Sequence, residues 1–240
     1  LLPSDVLGVS VYDRNAGVFE FKRGPIFAHI VLADEINRTT PRTQSALLES
    51  MNEAQVSVDG RTLPIDPPFM VVATQNPYEF EGTYALPENQ LDRFLMQISL
   101  GYPEPSDEIR ILEERPSENA LADLTPVMGA ADVVDLQHAT DAVRMDRSLL
   151  DYVVAIAGAT RQHAELHLGL STRGSLALTQ SARARALLGG RDYCIPEDIT
   201  ESIVPVCAHR VLSHAYVRGG DTETSKRVLQ EVLQTVPSPA

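Results

Sequence analysis

The sequence predicts an α/β protein in which a largely parallel sheet is followed by a helical domain. Two short runs are wholly apolar, Ile30–Ala33 and Val71–Ala73, and each ends abruptly in polar residues. Apolar strands of this kind are typical of a parallel sheet that is buried on both faces. From Ser106 onward no strand pattern is visible, and apolar residues recur at helical spacing. We therefore place a domain boundary near Pro103.

The first predicted domain, residues 1–103, alternates between signals for strands, turns and helices. The stretch Val9–Phe21 predicts a β-hairpin, because a cluster of turn-forming residues separates two segments rich in valine and aromatic residues. A second hairpin is predicted at Gln55–Ile65, around the two-residue turn signal Asp59-Gly60. The other predicted elements of this domain are helices at Pro41–Met51 and Glu88–Phe94 and a strand at Leu95–Leu100.

The second predicted domain, residues 104–240, is expected to be entirely helical. The segment 196–198 places a proline and two acids in the first turn of a helix, as the helix dipole favours. The predicted helices are Ser106–Arg115, Ala131–Val143, Leu149–His163, Arg173–Leu188, Pro196–Leu212 and Lys226–Val236.

The composition excludes several classes of function. The chain has 33 acidic and 20 basic side chains, a net charge of −13, and no basic block, so we expect no nucleic-acid partner. No apolar run approaches the roughly 20 residues that a membrane-spanning helix needs. Cys194 and Cys207 fit neither a zinc motif nor a disulfide framework and are expected to be buried, which suits a cytoplasmic protein.

Polar side chains at the ends of the two apolar strands predict the functional site. Asp34 and Glu35 follow the first strand and Asn76 follows the second, and ligands of open α/β sheets bind at the carboxyl ends of such strands. Consecutive residues of a strand point to opposite sides, so the two acids are expected to have separate roles. One would orient Mg²⁺ and the other would polarise an attacking water. The alternatives are a solvated acidic pair and, for Asn76, a simple turn residue.

Two arginines are candidates for contacts with phosphate. Arg93, on the predicted short helix, could reach the site of an adjacent subunit and neutralise charge in the transition state. The alternative is an ion pair with Asp92 or a nearby glutamate. Arg173 begins a helix that Ser171 or Thr172 could cap, and could contact phosphate from the second domain. The alternative is a plain surface arginine.

Four segments, taken together and in order, resemble the motifs of one protein family, the MoxR family of AAA+ ATPases. The resemblance runs from Leu1 to about Leu212. The segments are Leu32–Arg38, Ala73–Pro77, Thr83–Phe94 and Ser171–Arg173.

This resemblance implies an α/β AAA+ core and a helical lid, ATP and Mg²⁺ as ligands, and a homo-oligomeric ring, expected to be a hexamer. It implies that ATP lies between core and lid, with an arginine entering from the neighbouring subunit. The implied roles are the Walker B pair for Asp34 and Glu35, with Asp34 holding Mg²⁺, sensor 1 for Asn76, the arginine finger for Arg93 and sensor 2 for Arg173.

Members of the MoxR family are similar to chaperones that remodel or mature client complexes, often beside proteins with von Willebrand A domains. The two predicted hairpins, Val9–Phe21 and Gln55–Ile65, resemble the inserts that the family carries before the Walker B strand and before sensor 1.

One motif of the family is absent from this sequence. The phosphate-binding Walker A loop requires Gly-x-x-x-x-Gly-Lys-Ser/Thr, and neither Lys22 nor Lys226 lies in such a context. We therefore expect a partial P-loop-type sheet that lacks its first strand, in a chain that lacks its amino-terminal part. The alternative is an AAA+-like interaction module that does not bind ATP by itself.

Overall fold

A computed structural model describes residues 2–76, 83–114, 124–214 and 223–239 of the chain. The first domain comprises helix α1 (Pro3–Leu7), strands β1 (Gly8–Asp13), β2 (Val18–Arg23) and β3 (Ile30–Ala33), helix α2 (Pro41–Glu53), strands β4 (Gln55–Val58), β5 (Arg61–Pro64) and β6 (Met70–Ala73), and helix α3 (Glu88–Leu91).

The predicted second domain, residues 104–240, contains most of the helical residues that the structure describes. It comprises helices α4 (Pro105–Glu114), α5 (Ala130–Ala142) and α6 (Arg147–Gln162), strand β7 (Leu166–Leu168), helices α7 (Thr172–Leu188), α8 (Pro196–Thr200) and α9 (Ile203–Cys207), strand β8 (Leu212–Ser213), and helix α10 (Glu223–Thr235). None of the described helices is both long and apolar enough to cross a membrane.

Strands β3 and β6 form the predicted parallel pair, with Ile30 opposite Met70 and Ala33 opposite Ala73. The expectation that both faces are buried was wrong. Because side chains alternate along a strand, one face packs on the domain core, while Leu32 and Val72 of the other are 66% and 41% exposed. Among the described residues no second layer covers that face.

Both predicted hairpins are confirmed as antiparallel pairs, β1 with β2 and β4 with β5. Asp59 and Gly60 both have positive φ, 51° and 72°, as the tight two-residue turn between β4 and β5 requires. The hydroxyl of Ser10 donates to Asp59 Oδ2 at 2.5 Å, so the second hairpin's turn contacts the first hairpin.

The predicted strand Leu95–Leu100 is not a strand in this fold. A strand forms only where a neighbouring strand shares its ladder of hydrogen bonds, and no strand of the described residues pairs with this segment. Its Gln97 N–H instead donates to the carbonyl of Pro205 in the second domain, at 2.8 Å. Ile98 and Leu100 remain 72% and 92% exposed.

The helices of the second domain follow the predicted pattern, with two corrections. The helix predicted at Pro196–Leu212 is broken into α8 and α9, because the ring of Pro205 lacks an N–H and would clash with the carbonyl four residues earlier. The domain is also not entirely helical, since Leu166 of β7 pairs with Ser213 of β8. Arg115, the predicted end of the first of these helices, lies outside the described residues.

Each domain has its own hydrophobic cluster. Ile156, Leu178 and Ile203 are fully buried in the cluster of the second domain, and Ile26 is fully buried in that of the first. The two cysteines are buried and free, as expected, and burial raises the pKa of Cys207 to about 12. That thiol therefore behaves as a small apolar group.

An ion pair between the partly exposed Arg191 and the buried Asp198 stabilises the start of α8. Arg191 donates two hydrogen bonds to the carboxylate of Asp198, at 2.6 and 2.7 Å, and the N–H of Ile195 donates to it at 2.9 Å. Burial by itself raises the pKa of Asp198. The hydrogen bonds and the charge of Arg191 outweigh burial and hold that pKa below its ordinary value of 3.8.

We expect Asp198→Asn to lower the free energy of unfolding by about 2 kcal/mol at pH 7, because it removes the charge of a buried carboxylate that accepts charge-assisted hydrogen bonds from Arg191. A group whose pKa is depressed by folding stabilises the protein above its unfolded pKa and loses that contribution as the pH falls. The difference between wild type and variant should therefore shrink below about pH 4, measured by urea unfolding at several pH values.

Asp192→Asn is the matched control, because Asp192 pairs with Arg144 at 3.1 Å in an ion pair whose side chains are 77% and 74% exposed. This change should cost less than about 1 kcal/mol at any pH. Equal losses in the two variants would contradict the role assigned to Asp198.

Candidate functional site

The carboxyl ends of β3 and β6 meet at one edge of the sheet. Beyond the last strand pair, the N–H of Thr74 donates to Ala33 O at 3.1 Å, and the N–H of Ile36 donates to Thr74 O at 3.0 Å. These hydrogen bonds keep the two chain segments side by side beyond the ends of the strands. The residues that follow β3, Asp34 and Glu35, therefore lie against Thr74.

Thr74 joins the two candidate acids through one hydroxyl group. Its Oγ1 donates to Asp34 Oδ1 at 2.5 Å and accepts the N–H of Glu35 at 2.9 Å. The carboxylate of Asp34 and the backbone of Glu35 are thus fixed to the neighbouring strand's end. Thr74 was not among the site residues predicted from the sequence, although a hydroxyl side chain directly after an apolar strand was the available signal.

Glu35 does not lie on the strand, which corrects the expectation that the two acids are consecutive strand residues. Its backbone is left-handed, with φ 48° and ψ 51°, an uncommon conformation for a residue with a side chain. The hydrogen bond to Thr74 and the short 3₁₀ turn Ile36–Arg38 hold it there. The two acids still have different partners, Thr74 for the carboxylate of Asp34 and Arg38 for that of Glu35, and uncommon backbone conformations of this kind are common at functional sites.

The carboxylate of Glu35 lies beside a cationic side chain, that of Arg38. Arg38 Nε lies 3.3 Å from Glu35 Oε2, and the two side chains are 51% and 42% exposed. This ion pair is open to solvent and therefore weak. Asn76 lies three residues beyond β6 and is half-buried, and Pro77, which follows it, is outside the described residues.

Arg93 lies just after α3 and packs against the first domain. Its Nη1 donates to the carbonyl of Leu48 in α2 at 3.1 Å, and its Nε is buried without a hydrogen-bond partner in the described structure. Asp92, one of its considered partners, pairs with Arg210 of the second domain at 3.0 Å.

Arg173 occupies the first turn of α7. Ser171, one of the two candidate caps, is the N-cap, and its side chain accepts the N–H of Gly174 at 3.0 Å. Arg173 and Arg93 line the same open cleft of about 720 Å³ between the domains, together with Arg183 and Asn52. The two phosphate-binding candidates among the arginines are therefore brought together.

The predicted site residues form two groups. Asp34 and Glu35 lie at the ends of the parallel strands, with Asn76 following the neighbouring strand, and Arg93 and Arg173 line the cleft. None of the described residues lining the cleft belongs to the strand-end group. The cleft thus brings Arg93 and Arg173 together, and Asp34, Glu35 and Asn76 are not among its described lining residues.

The strand-end group suits a cation held mainly by a ligand. In the described part of the chain no three histidine, cysteine or acidic side chains converge on one point. Mg²⁺ in nucleotide sites needs only one or two carboxylates besides phosphate oxygens and water. Asp34, held by Thr74 at the strand end, fits that requirement.

Comparison with known proteins agrees with this architecture. Residues 1–96 match the family described as the ATPase family associated with various cellular activities (AAA), and residues 158–232 match the AAA lid domain.

The chain is also similar to individual proteins. The uncharacterized protein YeaC of Bacillus subtilis is 46% identical over all of this chain and 74% of its own length. The chaperone MoxR1 of Mycobacterium tuberculosis is 40% identical over all of this chain and 65% of its own length. A crystal structure of a Cytophaga hutchinsonii protein superposes with a TM-score of 0.88 at 36% identity, covering all of this chain and 75% of that one. The chain belongs to the MoxR family of AAA+ ATPases.

Proposed function

We propose that this chain hydrolyses ATP within a homo-oligomeric ring, expected to be a hexamer, and that hydrolysis drives chaperone-like remodelling or maturation of client protein complexes in the cytoplasm. The observation that carries this proposal is the placement of Asp34 and Glu35 at the ends of parallel strands, both tied to Thr74. A relative, MoxR1, is named a chaperone, which supports the client-directed role. A protein with a von Willebrand A domain is the partner that we expect beside the ring.

The strand-end residues have distinct proposed roles. Bound Mg²⁺–ATP would supply an electrophilic γ-phosphate whose charge the ion partly neutralises. Asp34 would hold the ion, and the Thr74 hydroxyl would keep its carboxylate in one orientation. Glu35, whose backbone is left-handed, would polarise the attacking water, and the amide of Asn76 would orient that water or the γ-phosphate.

The cleft arginines would complete the site of a neighbouring subunit. Arg93 and Arg173 share a cleft whose described lining includes neither Asp34 nor Glu35. We therefore propose that both arginines act on the nucleotide of the adjacent subunit, rather than Arg173 acting within its own. Paired guanidinium groups suit the charge spread over a phosphoryl group in transfer.

A non-catalytic interaction module is the second candidate. It is a candidate for residues 1–240 by themselves, in which neither Lys22 nor Lys226 lies in a Walker A context. Isothermal titration with ATP and Mg²⁺ separates the two functions, because an interaction module binds no nucleotide.

We expect Glu35→Gln in the full-length protein to bind ATP normally but to lower the hydrolysis rate by about 100-fold or more, since the amide cannot take a proton from water. Phosphate release and nucleotide titration measure the two effects. Glu49→Gln, an exposed acid on α2, should retain full activity. Turnover by Glu35→Gln at the wild-type rate would contradict its assigned role.

We expect Thr74→Val to lower Mg²⁺-dependent hydrolysis by roughly 10-fold to 100-fold, because valine keeps the shape but releases Asp34 and Glu35. Thr74→Ser keeps the hydroxyl and should retain most of the activity. Titration of the rate with Mg²⁺ should show a higher requirement in the valine variant. If valine and serine behave alike, the hydroxyl does not organise the site.

We expect Arg93→Ala to lower hydrolysis by about 1,000-fold, the scale of a lost arginine finger. Mixing Arg93→Ala subunits with Glu35→Gln subunits should restore part of the activity, because some interfaces then combine an intact strand end with an intact arginine. Arg173→Ala should be rescued by the same mixing. A mixture no more active than its components would show that the arginine acts within its own subunit.

A further inference from the structure

Arg210 is a buried cation at the junction of the two domains. Its side chain is 2% exposed, and it follows α9 in the second domain. A guanidinium has five N–H donors, and each of them is used. The acceptors are Asp92 Oδ1 (3.0 Å), the carbonyls of Leu95 (2.9 Å), Phe94 (2.5 Å) and Asp92 (3.3 Å), and the carbonyl of Val206.

Four of these five acceptors belong to one segment of the first domain, residues 92–95. This segment contains Arg93 and lies beyond α3, so neither a helix nor a strand satisfies its carbonyls. Arg210 donates hydrogen bonds to these carbonyls instead, on both sides of Arg93. The backbone that carries the proposed arginine finger is therefore shaped by a side chain of the lid.

His209 adds a second contact to the same segment. Its Nε2 lies 3.1 Å from the carbonyl of Phe94, which can only accept, so Nε2 carries the proton. Burial, together with the charge of Arg210, lowers the pKa of His209 to about 4. The imidazole is therefore neutral at pH 7, and Arg210 is the cation of this junction.

The carboxylate of Asp92 connects the same centre to the other arginine of the cleft. The Ser171 hydroxyl lies 3.2 and 3.4 Å from its two oxygens, and Ser171 is the N-cap of α7, which carries Arg173 in its first turn. Arg93 is the next residue after Asp92, and Arg173 lies two residues after Ser171. The Arg210–Asp92 ion pair thus contacts both the segment that carries Arg93 and the N-cap of the helix that carries Arg173.

We propose that the Arg210–Asp92 ion pair is a positioning element that aligns Arg93 with Arg173, and so determines how well one subunit completes its neighbour's phosphate site. The proposal rests on the proposed function. Arg210 is a positioning residue, because its donors are all used within its own chain.

The chemistry of the junction requires an arginine. Lysine has three donors on one nitrogen and could not reach acceptors spread over residues 92–95. A buried ion pair by itself adds little net stability, since desolvation offsets most of the attraction between the charges. The geometry of the Arg210–Asp92 pair instead supports a role in fixing one relative arrangement of the two domains.

The test is Arg210→Lys in the full-length protein, which keeps the charge but removes the planar fork. We expect kcat to fall at least 10-fold while KM changes less than about threefold, because the subunit's own strand-end site is untouched. Mixing Arg210→Lys with Glu35→Gln subunits should restore activity, since the former still offers an intact strand end. Asp92→Asn should reproduce the effect, and serves if the lysine variant does not fold.

Arg191→Lys is the matched control, because Arg191 also forms a two-fold contact with a buried carboxylate of the lid, Asp198. It should lower stability and leave kcat unchanged. A merely structural role for Arg210 predicts the same outcome in both variants and no rescue by mixing. Either of those results, or a wild-type kcat in Arg210→Lys, would overturn the proposal.

A distance measurement separates this proposal from the proposed function. Spin labels at Glu49→Cys on α2 and Leu188→Cys at the end of α7 report the relative placement of the domains, since both positions are exposed. The distance distribution should be narrow in the parent, which carries only the two labelled substitutions, and in the same protein with Arg191→Lys. It should be broad in the same protein with Arg210→Lys. A narrow distribution in Arg210→Lys overturns the positioning role. Absence of turnover in the parent overturns the proposed function and leaves the distance result to stand alone.

Discussion

The described structure depends on a polar junction between two separately packed domains. Each domain buries its own hydrophobic cluster, and no residue is shared between the two clusters. Among the described residues, the hydrogen bonds that cross between them include those of Arg210, His209 and Ser171 to residues 92–95, and one from Gln97 to Pro205. Hydrogen bonds are directional, so such a junction specifies orientation more strongly than an apolar contact of similar size would.

The two halves of the site are built on different physical grounds. Asp34 and Glu35 are held by backbone pairing of β3 with β6 and by the hydroxyl of Thr74, within one rigid sheet edge. Arg93 and Arg173 come from a short helix and a lid helix, and depend on the junction for their relative placement. In a ring, the strand-end residues of one subunit would meet the cleft arginines of its neighbour. The rate of hydrolysis would then depend on the contact between the two subunits.

Local patterns predicted the fold well where the physical cause was itself local. The hairpins followed from turn residues such as Asp59 and Gly60, and α7 followed from its cap and apolar spacing. The prediction of a strand at 95–100 failed because strand formation depends on a pairing partner, which the sequence of a single segment does not reveal. The prediction that both faces of β3 are buried failed for the same reason, because burial of a face depends on what packs against it.

The candidate site was predictable in composition but not in arrangement. Asp34 and Glu35 were visible because acids directly follow an apolar strand, whereas the left-handed backbone of Glu35 has no sequence signal. Arg210 was missed because four of its five acceptors are more than one hundred residues away in the chain, and three of those four are backbone carbonyls, which carry no residue identity. Long-range backbone recognition of this kind is outside the reach of spacing rules.

The separation of the two apolar clusters also has a consequence for melting behaviour. A chain whose domains share no core is not obliged to unfold in one cooperative step. Heat that disorders the sheet domain can leave the lid helices intact, so that calorimetry would resolve two transitions. Damage to one core would then lower one transition temperature and leave the other in place, which lets each domain accumulate substitutions independently of its neighbour.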